Sequence, residues 1–168
     1  MEVSVAVRNL HVRRLPRVPG DLIDSLASDA DRLWPRDSWP ALRLDRPLGV
    51  GASGGHGPIR YRVVAYQPGR WIRFRFTAPR GFDGFHEFTT HESGDGAELH
   101  HLLCMRVRGA ARILWPVVWR PLHDALIEDG LDRAAGHVTG SVRTPARWSW
   151  YVRLLRSGAA RLTPGSGT

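Results

Sequence analysis

The stretch RILWPVVWRPLHDALIEDGLDRAAGHV (residues 112–138) has no strand alternation, and it follows a run from Ile59 to Arg108 that reads as strand nearly throughout. Ile59–Gln67 and Arg70–Ala78 flank the turn dipeptide Pro68-Gly69 and are expected to pair as a hairpin. Phe82–Glu92 and Glu98–Arg108 flank Ser93-Gly94-Asp95-Gly96, the signature of a second hairpin. Within 112–138 the apolar period becomes that of a helix. Pro116 and Pro121 are tolerated in a first helical turn and not in a helix interior, so regular helix is expected from near Pro121, after a looser turn.

Upstream, VSVAVRNLHVRR (3–14) alternates and is rich in valine, as a strand does. Asp21 to Trp34 carries apolar residues three to four apart and predicts one or two short helices, which Pro35 stops. Pro40 and Pro47 keep the next segment irregular or edge-like. The order is strand, short helices, a run of antiparallel strands, then one long helix, an α+β pattern without βαβ alternation.

The chain has 168 residues and a hydrophobic fraction of 42%, enough for one core and ordinary for a folded domain. A single cysteine excludes a disulfide scaffold, and Cys104 inside a strand reads as a small buried hydrophobe. The apolar runs are too short to span a membrane, and MEVSVAVRNL lacks the long apolar stretch of a signal peptide, so a soluble cytoplasmic protein is the default expectation. All 24 basic residues are arginine. The last acid is Asp132, and six arginines follow it, so most of the net charge of +8 sits in the C-terminal segment and the body is nearly neutral. That distribution argues against a nucleic-acid partner. Arg60, Arg62, Arg73 and Arg75 alternate with Tyr61, Val63, Ile72, Phe74 and Phe76, so the arginines should face water and the apolar set the helix.

The element order, together with GGHGPIRYRV (54–63), PGRWIRFRF (68–76) and PLHDALIEDGLDRA (121–134), resembles the START-like, polyketide-cyclase (SRPBCC) superfamily and its birch-pollen-allergen-like helix-grip fold. The resemblance covers about residues 1–140. It implies a curved antiparallel sheet wrapped around a long C-terminal helix, two short helices after the first strand, and a cavity between sheet and helix. It implies no particular reaction, since no catalytic signature is shared across the superfamily. Residues 1–140 are thus expected to form a helix-grip ligand-binding domain and 141–168 a basic Trp/Arg-containing tail.

On a helical wheel Trp115, Trp119, Leu122 and Leu126 share one face, and Ile127, Leu131, Ala134 and Val138 a second. His123, Gly130 and His137 lie between them, with Asp124, Glu128 and Asp132 opposite, on what should be the solvated side. Two readings compete: His123 and Gly130 line a cavity, or His123 is a bonded core residue and Gly130 admits a bulky neighbour. The expected ligand-binding set is Tyr61, Phe74, Phe76, His86, Phe88, Trp119, His123, Ile127 and Gly130, with His123 the candidate acid/base. His56 is a further residue that could face a ligand.

Gly49-Val50-Gly51-Ala52-Ser53-Gly54 fits the dinucleotide-loop pattern, but a strand follows it where the phosphate site needs a helix, and it reads as a strand connection. No cofactor is expected. If Asp95-Gly96 form the turn, His91 opposes His100; if Gly94-Asp95 do, Phe88 opposes His101. Two histidines without a third ligand do not make a zinc site, so no metal is expected either. Parity allows only one of His100 and His101 to point inward. The favoured function is binding of a small hydrophobic molecule (a lipid, polyketide or aromatic metabolite), with two alternatives: an aromatic cyclase or dehydratase, and a partner-binding module. In the tail, Trp148, Trp150 and Tyr151 among arginines suit either docking on the domain or a weak contact with an anionic membrane through residues 143–161. Nothing in the sequence sets an oligomeric state.

Overall fold

A computed structural model describes residues 3–162; residues 163–168 of the expected tail lie outside the described residues. Strand β1 (Ser4–Leu15) opens the chain and pairs with the last strand, β7 (Gly96–Arg108), over its whole length. Between them in sequence come β2 (Arg43–Leu44), β3 (Ser53–His56), β4 (Ile59–Gln67), β5 (Trp71–Ala78) and β6 (Phe82–Ser93). All pairs are antiparallel, in the order β1-β7-β6-β5-β4-β3-β2, and the sheet curves around the C-terminal helix. This is the α+β architecture expected.

The second hairpin turns on Gly94-Asp95, because Ser93 pairs with Gly96. That register places Phe88 opposite His101. It turns Leu99, His101, Leu103, Met105 and Val107 inward, all 5% exposed or less, and leaves Cys104 only half-buried on the other face. The glycine-rich segment closes the far edge: side chains at Gly54 or Gly55 would collide with the backbone of Arg43 or Ile59. These glycines let three strands approach, as a strand connection requires.

The short helices expected after β1 are replaced by a succession of hydrogen-bonded turns over residues 20–30. Ser25 and Ser28 donate their hydroxyls to the carbonyls of Leu22 and Ser25, and buried Asp31 accepts the backbone N–H groups of Ala27, Leu33 and Trp34. Side chains that bond the local backbone compete with the helical ladder, and here they win. Leu22, Ile23, Leu26 and Leu33 still reach the core, each 1% exposed or less.

The C-terminal helix begins earlier than Pro121. It starts as α1 (Ala111–Leu114), widens into one π-helical segment (Trp115–Trp119), and continues as α2 (Arg120–Thr139). In the wide turn the N–H of Arg120 reaches back to the Trp115 carbonyl, so two prolines are absorbed without breaking the axis. Pro121 cannot donate to the carbonyl of Val117, and the hydroxyl of Tyr151 does so instead. Tyr151 belongs to α3 (Trp150–Leu162), which lies against α2. Among the described residues, no helix is long and apolar enough to cross a membrane.

Candidate functional site: a buried histidine cluster between sheet and helix

The inner faces of four strands form a wall facing α2. Tyr61 and Val63 from β4, Ile72 and Phe74 from β5, Phe88 from β6 and Leu103 from β7 are at most 3% exposed, while Phe76 is half-buried. Among these aromatic rings sit imidazoles. His86 on β6 stacks on Phe74 with ring centres 5.0 Å apart, and Tyr61 meets His86 edge-on at 4.9 Å. Phe88 packs on His101 at 4.7 Å. His101 and His86 face each other across the β6–β7 ladder, Nε2 to Nδ1, at 3.3 Å. His123 on α2 caps the cluster, its ring 5.1 Å from His101 and 5.9 Å from Trp115. On the other side of Tyr61, His56 lies 3.2 Å from its hydroxyl.

These rings are held neutral. Desolvation pushes His86 and His101 well below the ordinary imidazole range and His56 down to about 3, and it lowers His123 against the opposing pull of Asp124. Burial leaves His86 Nε2, His101 Nδ1 and His123 Nε2 without hydrogen-bond partners. Imidazole and aromatic rings thus line the space beside His123.

Asp124, Glu128 and Asp132 do not face water alone. They line up with Asn9, His11 and Arg13 on β1: Asn9 Nδ2 donates to Asp124 at 2.8 Å, His11 Nδ1 meets Glu128 at 2.6 Å, and Arg13 pairs with Glu128 at 2.9 Å and with Asp132. The match is geometric. Four helical residues rise about 6 Å and two strand residues about 6.7 Å, so successive helical turns meet alternate strand positions. Burial opposes a charge on His11, but its bonds to Asp124 and Glu128 outweigh that and raise its pKa. Burial opposes ionisation of Asp124, but its hydrogen bonds with His11, His123 and Asn9 hold the carboxyl well below its usual range.

Of the residues singled out by sequence, Tyr61, Phe74, Phe76, His86, Phe88 and His123 come together, and Ile127 is buried on the next turn of α2. Trp119 lies toward the outer end, 6.1 Å from Phe82. Gly130 is not beside His123: a side chain there would meet the Leu33 carbonyl at 3.0 Å, so this glycine admits the turn segment after β1. His137 is exposed, beside Arg32. His11, His101 and the Asp124 contact were not assigned from sequence. Hairpin parity could have supplied His101; nothing local links His11 to residues more than a hundred positions away.

A cavity of about 270 Å³ lies between β1 and the start of the C-terminal helix, lined by Val5, Val7, Val107, Trp115 and Pro116 with Asn9, Arg112 and Arg120; the Trp115 ring is 5.9 Å from His123. A separate outer groove of about 570 Å³ lies between Pro35–Ser38, the Asp129–Arg133 turn of α2 and residues 145–153. Beside it α3 is tied to the domain. Trp39 and Trp148 both donate to Asp129, and Arg156 stacks on both indoles with centroid distances of 4.2 and 4.1 Å. Val152 is buried, while Trp150 and Leu154 stay exposed. On the sheet's outer face Arg73 pairs with Glu87, and Arg75 and Arg108 with Asp83.

Neither a family model nor a curated protein sequence matches the chain. Solved structures do. The di-domain ARO/CYC StfQ from the steffimycin biosynthetic pathway superposes with a TM-score of 0.59 at 13% identity, over 80% of this chain and 51% of that one. A Thermobifida fusca protein gives 0.55 at 14% identity, over 82% and 97%. Ara h 8.0201 gives 0.54 at 10% identity, over 82% and 100%. At such identities the likeness concerns architecture, and it agrees with the element order and sheet topology above. The chain has the helix-grip fold.

Proposed function

We propose that this chain binds a small, largely hydrophobic molecule, such as a lipid, polyketide or aromatic metabolite, between the sheet and α2. The observation that carries this reading is the trio of partnerless nitrogens on His86, His101 and His123 inside an aromatic wall. An unsatisfied buried donor or acceptor costs about 1–3 kcal/mol, and a ligand carbonyl or hydroxyl at that point would offset it. Affinity would come from apolar area at roughly 25 cal/mol per Å², less the cost of association. The 270 Å³ cavity beside Trp115 is the entrance this reading uses.

A second reading is favoured by one contact. His123 Nδ1 lies 3.3 Å from Asp124 Oδ1, which fixes the ring and leaves Nε2 as a lone-pair acceptor facing the interior. A neutral imidazole so held could take a proton from carbon next to a carbonyl and return it to a departing hydroxyl, the elimination step of a cyclase or dehydratase. Native mass spectrometry of protein purified from its own cells tests both readings. A co-purifying small molecule, lost in His123→Ala with the fold intact, supports binding; release of a dehydrated product from it supports the enzyme. Absence of any bound molecule, with no uptake of a fluorescent hydrophobic probe, would falsify the binding reading.

A further inference from the structure

We infer that His11, His123 and Asp124 form a binding site for a divalent transition-metal ion of the zinc class. Among the described residues these three bring one ligand atom each to within 4.8 Å of one another. Both His11 Nε2 and His123 Nδ1 lie 3.3 Å from Asp124 Oδ1. Tetrahedral zinc bonds of about 2.0–2.1 Å place neighbouring ligand atoms about 3.3–3.4 Å apart, so the spacing already suits a shared ion.

The surroundings carry the argument beyond proximity. The second ring nitrogen of His11 is held by Glu128 at 2.6 Å, and Arg13 holds Glu128 in turn. A carboxylate behind a histidine is the arrangement that fixes the tautomer and ring plane of a metal-binding imidazole. Asp124 is oriented too: Asn9 donates to Oδ1, and Arg120 lies 3.6 Å from Oδ2. Two imidazoles and one carboxylate leave a fourth position open, as in catalytic rather than structural sites. Asn9 and Arg120 also line the 270 Å³ cavity, which gives an ion a path and water a place. This inference does not rest on the hydrophobic-ligand reading.

The test uses the full chain, free of any affinity tag and stripped with a chelator, titrated with Zn²⁺ by calorimetry and with Co²⁺ by visible absorption. One equivalent is expected to bind, with the d–d absorption of a tetrahedral nitrogen–oxygen site. His11→Gln and Asp124→Asn should abolish that signal, and Glu128→Gln should weaken binding about 10–100-fold by loosening His11. Circular dichroism checks that each variant folds, and wild-type protein should melt higher with Zn²⁺ while folded His11→Gln should not. A His91→Ala/His100→Ala variant, which removes the surface pair with rings 4.4 Å apart, should bind as wild type. No binding by the wild type overturns the site, and so does binding that survives in His11→Gln but disappears with His91 and His100. Hydrophobic-probe uptake measured in chelator keeps the ligand reading separately testable.

Discussion

His86 Nδ1 and His101 Nε2 sit 3.3 Å apart where solvent does not reach, and whichever ring donates, each is left with one nitrogen unpaired. If His86 donates, its Nε2 is a bare acceptor and His101 keeps an unused N–H; the other tautomer reverses the roles. The pair cannot satisfy itself, and it cannot take up a proton cheaply.

A pH dependence follows. His56, His86 and His101 have pKa values lowered by burial, so below about pH 6.5 the unfolded chain binds protons that the folded chain refuses. Their stabilisation is complete above that value and is lost as pH falls, by up to about 1.4 kcal/mol per pH unit for each ring. His11, with its raised pKa, acts in the opposite sense and only above about pH 6.5, so it does not mask the acid limb. Urea midpoints between pH 5 and 7 should climb with pH, and the slope should flatten in a His86→Phe/His101→Phe variant.

Gly130→Ala should destabilise the protein by about 1–3 kcal/mol, although alanine is the better helix former by about 1 kcal/mol. The added methyl group would press on the Leu33 carbonyl at 3.0 Å, and that segment is held by Asp31. Chemical denaturation checks this; a stabilised variant would show that the 33–35 segment yields freely.

Asp129→Ala removes the acceptor shared by two indole N–H groups. A loss of about 2 kcal/mol is expected, with red-shifted tryptophan fluorescence as α3 loosens from Trp39. Asp129→Asn, which keeps a carbonyl acceptor, should recover part of that loss.

The helix α3 turns different apolar residues toward the domain and toward solvent. Val152 and Arg156 face the domain, whereas Trp150 and Leu154 are 76% and 60% exposed and flank exposed Arg153. Co-sedimentation with anionic vesicles at low salt is expected to weaken in Trp150→Ala/Leu154→Ala without a change in thermal stability. Equal sedimentation of wild type and variant, or none by either, removes the membrane from consideration.

The amino-acid sequence by itself determined the two hairpins, the switch to a helical period after Arg108, and the inward set Tyr61, Phe74, His86 and Phe88. Those features depend on residues close in the chain, where alternation, turn dipeptides and helical period are decided. It could not separate the two hairpin registers, and so could not choose between His100 and His101. Only the tertiary structure decided that Asp124, Glu128 and Asp132, though partly exposed, bond to β1. A helical wheel orders the faces of α2 but does not say which one the sheet wraps. The same holds for His11, which meets its partners because β1 and α2 share a repeat of about 6–7 Å once they lie side by side. Gly130 was ambiguous for the same reason: whether a missing side chain leaves a space or admits a backbone depends on where a distant segment comes to rest.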